Sequence, residues 1–114
     1  MKFTFNTADN KRVVCDTESD TQIYDAPHNP PNTGTRYTRG TDIYAHSAKS
    51  GQVYFYAYHW SMWQGEDSSA ELWSAAQVEE FFVAAMSGPY HERPSKSDIE
   101  LLADLGIDIL DETA

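Results

Sequence analysis

The sequence predicts an α+β fold in which a mainly antiparallel sheet of four to six strands is covered on one face by two C-terminal helices. Polar and apolar residues alternate with period two in the first half of the chain, whereas apolar residues at helical spacing appear only after Ser74. Strands that all precede the helices are typical of an antiparallel sheet with helices on one side. The length of 114 residues predicts a single domain, 1–114, with one core.

The N-terminal part of the chain predicts three strands and one long loop. Residues 2–6 alternate polar and apolar side chains, and residues 11–16 return as the second strand of a hairpin. A weaker extended segment follows at 21–24. Residues 25–40 contain three prolines and two glycines and show no helical or strand period. They predict a long irregular loop, and loops of that length are often functional.

A second hairpin follows, and its register can be predicted. Residues 42–47 and the aromatic run that starts at Val53 flank Lys49-Ser50-Gly51, in which the glycine suits a positive φ. A three-residue loop there makes the numbers of facing residues sum to 100. Because side chains alternate along a strand, the aromatic run divides into two surfaces. One surface carries small and aliphatic side chains together with Phe55. The other, the tyrosine face, consists of Tyr44, His46, Tyr54, Tyr56, Tyr58 and Trp60.

The C-terminal part predicts two helices, preceded at 70–73 by either a short strand or an entry segment. Ser74 and Gln77 have the spacing of a capping box, and so have Ser97 and Glu100. Apolar residues at helical spacing follow each box and predict one buried stripe per helix. Gly106 predicts the C-terminal cap of the second helix.

The tyrosine face is the strongest candidate for a binding surface, and two interpretations of it are open. It is either a half-solvated sheet face or second core layer beneath the 25–40 loop, or an exposed patch of the residue types that anchor interfaces. Our hypothesis is that it binds a protein partner or a second copy of the chain. The candidate binding residues are Tyr44, His46, Tyr54, Tyr56, Tyr58, Trp60 and Trp63.

The charge distribution narrows the classes of partner. Residues 58–114 hold two basic and twelve acidic side chains and carry the whole net charge of −10, since residues 1–57 hold six of each sign. Such a field disfavours nucleic-acid binding, which depends on Lys and Arg that neutralise phosphates. It favours a basic partner or a role as an acidic mimic of nucleic acid; alternatively, the charge serves only solubility, or reflects a host with a salty cytoplasm.

No catalytic, metal or cofactor site is predicted from local motifs. The histidines at 28, 46, 59 and 91 lack zinc-site spacing, and His46 and His59 point to opposite faces of the predicted hairpin. Cys15 reads as a small buried side chain. Residues 16–20 present three alternating acids but lack the glycine of a calcium loop, so they read as solvated.

The alternative function is a small-ligand-binding protein or an enzyme with a pocket between the tyrosine face and the 25–40 loop. The chain has no apolar signal segment and no run long enough to cross a bilayer. A cytoplasmic protein without membrane contact is therefore expected, and the single cysteine fits a reducing compartment.

Overall fold

The computed structural model describes residues 2–7, 10–27, 39–61, 65, 68–88 and 93–107. Within them, six antiparallel strands in two sheets are followed by two helices, which confirms the α+β class. Most of the predicted 25–40 loop, residues 28–38, lies outside the described residues, as does Trp63. None of the helices in the described ranges is long and apolar enough to span a membrane.

The strands divide into a two-stranded and a four-stranded sheet. The elements are β1 Lys2–Asn6, β2 Arg12–Asp16, β3 Thr21–Tyr24, β4 Arg39–Ser47, β5 Val53–Ser61, β6 Ser69–Trp73, α1 Ala75–Met86 and α2 Lys96–Asp104. β1 pairs only with β2, while the larger sheet has the order β3-β4-β5-β6. The sequence predicted one sheet, and the turn after β2 explains the difference. The amides of Ser19 and Asp20 both donate to the Asp16 carbonyl, and this tight turn separates β2 from β3, which pairs with β4.

The predicted register of the β4–β5 hairpin is confirmed. Facing residues run from Arg39 opposite Ser61 to Ser47 opposite Val53, so each pair sums to 100. The three-residue loop is closed by the Ala48 amide, which donates to the Gln52 carbonyl at 2.9 Å, and its Gly51 has φ 90°. Local alternation and turn chemistry therefore fix which side chains of β5 share a face.

Both helices begin with a capping box. Ser74 and Gln77 cap α1 as predicted. The prediction for α2 was wrong by two residues, because the cap is Ser95 with Asp98 rather than Ser97 with Glu100. Either serine has an acid three residues later, so the box pattern did not distinguish them. The observed N-cap is the serine that directly follows Pro94.

The two helices pack on one face of the larger sheet. Val78 and Phe82 of α1 and Leu102 of α2 are fully buried against the aliphatic surface of the β4–β5 hairpin. β3 contributes through a bulge, since the register shifts between Gln22 and Tyr24. The bulge turns Tyr24 toward the helices, where its ring meets that of Phe82 edge-on at 5.7 Å.

A close approach of Trp60 to Gly40 gives a stability prediction. A Cβ at Gly40 would lie 2.7 Å from Trp60 Cε2, and the ring cannot retreat freely because its Nε1 donates to the buried Asp42 carboxylate at 3.1 Å. We expect Gly40→Ala to lower the free energy of unfolding by about 1–3 kcal/mol, since overpacking a buried contact has this cost. Urea unfolding followed by circular dichroism measures it.

The matched control is Gly88→Ala. A Cβ there would meet its nearest atom, the Ala85 carbonyl oxygen, at an ordinary 3.4 Å, so its effect should stay within about 0.5 kcal/mol. Equal stability of the two variants would contradict the assigned contact between Gly40 and Trp60.

Candidate functional site

The tyrosine face is covered by the β1–β2 hairpin. Phe5 of β1 lies over Tyr56, with ring centroids 5.8 Å apart, and Phe3 lies over Tyr58 at 5.6 Å. Val13 and Cys15 of β2 complete this second core layer. The face is therefore a core layer, covered by the N-terminal hairpin at Tyr56 and Tyr58 and by Ala26, from the start of the predicted 25–40 loop, at Trp60. Residues 28–38 of that loop lie outside the described residues.

Burial differs among the predicted binding residues. Tyr56 is fully buried, Tyr44 is 8% exposed, and their rings stack across β4 and β5 with centroids 5.3 Å apart. Trp60 is also buried, against Gly40 and Ala26. An exposed patch that includes these three rings is thus ruled out in this structure. The remaining described candidates, His46, Tyr54 and Tyr58, are half-buried.

The Asp20 carboxylate connects the two layers through three hydrogen bonds. The Tyr56 hydroxyl donates to Oδ2 at 2.7 Å, and the Asp16 amide donates to the same oxygen at 2.8 Å. His46 Nδ1 lies 2.7 Å from Oδ1. Because a carboxylate only accepts, Nδ1 carries the proton of this contact, and in the neutral imidazole Nε2 is then the acceptor nitrogen. We call these residues the Asp20 network.

The turn between β2 and β3 places Asp20 in this position. Asp16 begins the turn, and its own carboxylate accepts from the Glu18 amide at 3.0 Å in an Asx-type turn. That bond holds the pKa of Asp16 below its ordinary value. The reading of residues 16–20 as solvated acids is wrong for Asp20, whose side chain is only 7% exposed.

Cys15 adjoins the Asp20 network without joining it. Its side chain is fully buried, and it makes no hydrogen bond within the part of the chain that the structure describes. Burial, and then the nearby charge of Asp20, raise the pKa of the thiol to about 12. One ligand-type atom from each of Cys15, Asp20 and His46 lies within 4.8 Å of the others, a set of donors suited to a metal ion.

A cleft of about 810 Å³ opens beside this cluster, between the start of β2 and the β4–β5 turn. Its cationic side chains are Lys11, Arg12 and Lys49. The other described residues that line it are Val13, Val14, His46, Ser47, Ala48, Ser50 and Tyr54. No acidic residue is among them, so the rim of the cleft is positive although the whole chain carries −10.

His59 belongs to a separate surface network. Its Nδ1 lies 2.8 Å from the Thr41 hydroxyl, and its Nε2 lies 3.2 Å from Glu71. Glu71 also accepts from Trp73 Nε1 at 2.8 Å, and the bonds from Trp73 and then His59 lower the pKa of its carboxyl. His46 and His59 thus occupy opposite faces, as predicted, while the histidines at 28 and 91 lie outside the described residues.

The sequence did not identify Asp20, Lys11, Arg12 or Lys49 as site residues. The available signal was the apolar alternation of β1 and β2, which required a covering partner for Phe5 and Val13. No protein-family model, curated protein or solved structure matches this chain. The geometry of the cleft and the Asp20 network is therefore the basis for assigning a function.

Removing the Tyr56 hydroxyl should destabilise the fold. Tyr56→Phe keeps the ring but leaves a buried carboxylate with one donor fewer, which should lower the free energy of unfolding by about 1–3 kcal/mol. Tyr58→Phe is the matched control, because the Tyr58 hydroxyl makes no hydrogen bond among the described residues. Equal urea midpoints for the two variants would show that the Tyr56–Asp20 bond contributes nothing to stability.

Cys15 should resist alkylation in the folded protein. With a pKa of about 12 instead of 9.0, the folded thiol has about 1000-fold less thiolate at pH 8 than the unfolded chain. Burial slows the reaction further. We expect iodoacetamide to modify the native protein at least about 100-fold more slowly than the urea-unfolded protein, as mass spectrometry measures. Comparable rates at pH 8 would contradict the buried position of Cys15.

Proposed function

We propose that the protein binds a small organic anion, one with a phosphate or carboxylate group on an apolar or aromatic body, in the cleft beside the Asp20 network. The main observation in support of the proposal is that cationic side chains are concentrated at this cleft. Of the six Lys and Arg side chains that the structure describes, three, Lys11, Arg12 and Lys49, line this one cleft. Lys11 and Arg12 lie at the start of β2 and Lys49 lies in the β4–β5 turn, so the packing of the two hairpins brings their charges to one cleft, where they favour an anion.

The lining also fits the body of such a ligand. Val14 is 50% exposed at the cleft, and Tyr54 is half-buried there, so apolar and ring surfaces lie beside the cations. Clefts with a mostly apolar lining and a few oriented polar groups are typical of small-molecule sites. His46 adds a ring at the same wall, held in place by Asp20 through Nδ1.

This proposal adopts the small-ligand alternative from the sequence but places it elsewhere. The cleft is formed with the N-terminal hairpin, whereas a pocket between the tyrosine face and the 25–40 loop stays a prediction, because residues 28–38 lie outside the described residues. Binding of a protein partner or a second copy remains a prediction. With Tyr44, Tyr56 and Trp60 buried, the tyrosine face offers such a partner only the half-buried Tyr54 and Tyr58.

Calorimetric titration with inorganic phosphate, a nucleoside monophosphate and an aromatic carboxylate tests the proposal. We expect at least one organic anion to bind more tightly than inorganic phosphate, because Val14 and Tyr54 then add apolar contact. Its affinity should fall as salt rises from low to physiological concentration, since the charges lie at an open rim.

Charge-reversal variants locate the site. Arg12→Glu and Lys49→Glu should each weaken binding at least about 10-fold, which corresponds to about 1.4 kcal/mol. Lys96→Glu changes the net charge equally at the exposed first residue of α2, outside the cleft, and should leave the affinity within about 2-fold. An equal loss of affinity in all three variants would show that only the net charge of the protein matters, and it would contradict a site at the cleft.

A second copy is the competing occupant, because residues 58–114 carry −10 and could lie against the cationic rim. Light scattering separates the two. A monomer that binds the organic anion supports the proposal. Concentration-dependent dimers that Arg12→Glu abolishes, with no binding of any anion in the panel, would overturn it.

A further inference from the structure

Three side chains with metal-binding chemistry meet beside the cleft, and they come from different elements. Cys15 is the last inward-facing residue of β2, Asp20 lies between β2 and β3, and His46 belongs to β4. Their sulfur, carboxylate oxygen and ring nitrogen lie within 4.8 Å of one another. We propose that Cys15, Asp20 and His46 together bind a single zinc ion. Thiolate, imidazole and carboxylate are the ligand types of four-coordinate zinc sites.

The hydrogen-bond network accounts for Asp20 and His46 but not for Cys15. Asp20 and His46 bond to each other, and Tyr56 bonds to Asp20, so a purely structural role would explain those three. The Cys15 thiol makes no hydrogen bond among the described residues, although it faces the same carboxylate. A bound cation would be coordinated by the Cys15 sulfur as well as by Asp20 and His46, and it would therefore account for all three side chains.

The two carboxylate oxygens of Asp20 have different roles in the proposed site. Oδ2 is fixed by the Tyr56 hydroxyl and the Asp16 amide, both shorter than 3 Å. Oδ1, which now meets His46 Nδ1, is the oxygen that becomes the ligand. Outer hydrogen bonds of this kind orient the carboxylates of metal sites. Tetrahedral zinc ligands lie about 3.3–3.8 Å apart, so the three ligand atoms need shifts of only about 1 Å.

The charges of the loaded site balance. Binding releases one proton, that of the Cys15 thiol, to solvent, while the His46 proton moves from Nδ1 to Nε2 and the imidazole stays neutral. The thiolate and the carboxylate then neutralise the dication, which lowers the free-energy cost of burying the ion. His46 lines the cleft and is 22% exposed, so the ion has a route of entry and a fourth ligand can be a water.

The test uses the full chain, treated with a chelator and kept reduced, and titrates it with Co²⁺ and then Zn²⁺. We expect one Co²⁺ per chain, a thiolate-to-cobalt charge-transfer band, release of about one proton, and displacement of cobalt by zinc. Zinc should also raise the melting temperature, since it binds only the folded cluster. The band requires no variant, so failure of a mutant to fold cannot obscure it.

Variants assign the ligands. Cys15→Ser should remove the charge-transfer band, and His46→Asn should weaken zinc binding at least about 10-fold. His59→Asn is the matched control, because His59 also contacts a carboxylate, Glu71, but lies on the opposite face. It should bind as the wild type does. Absence of the band in the wild type, or zinc binding that is unchanged in both Cys15→Ser and His46→Asn, would overturn the site.

Discussion

The Asp20 carboxylate is the polar constraint on which the two layers depend. The β1–β2 sheet shares no strand ladder with the larger sheet in the described residues, so packing and side-chain bonds hold it in place. A two-stranded hairpin alone is marginal in water. Asp20 binds Tyr56 and His46 across the layers, and hydrogen bonds to a charged group contribute about 1.5–3 kcal/mol each. Its burial is tolerable because donors satisfy both oxygens.

The same arrangement explains why a cleft exists. β1 and β2 have five residues each, whereas β4 and β5 have nine, so the hairpin is about 13 Å shorter than the face it covers. Tyr56 lies under the hairpin, while Tyr54 and the turn that contains Lys49 lie at the uncovered end. The cleft therefore arises from a difference in strand length, and the cations of the β2 start and the β4–β5 turn meet across it.

Features of the fold with a local cause could be predicted from the sequence. The β4–β5 register follows from one three-residue turn, and the α1 cap follows from Ser74 and Gln77. Features whose cause lies far away along the chain could not. The sequence near Asp20 did not show that it is buried while Glu18 is exposed, because its two side-chain partners, His46 and Tyr56, lie 26 and 36 positions away. The position of β1–β2 over the tyrosine face has the same origin, since two amphipathic faces do not reveal which covers which.

The positive rim of the cleft and the buried negative charge of Asp20 are compatible with each other. Asp20 receives three hydrogen bonds, so an anion at Lys49 and Arg12 meets a carboxylate already compensated by oriented dipoles. A dication held by Asp20 and the Cys15 thiolate would remove the remaining negative charge beside the rim. Anion and metal would then strengthen each other's binding, by linkage to the same degree, because each would lower the electrostatic cost of the other. The apparent conflict between an acidic chain and an anion site thus resolves locally, within a few ångströms of His46.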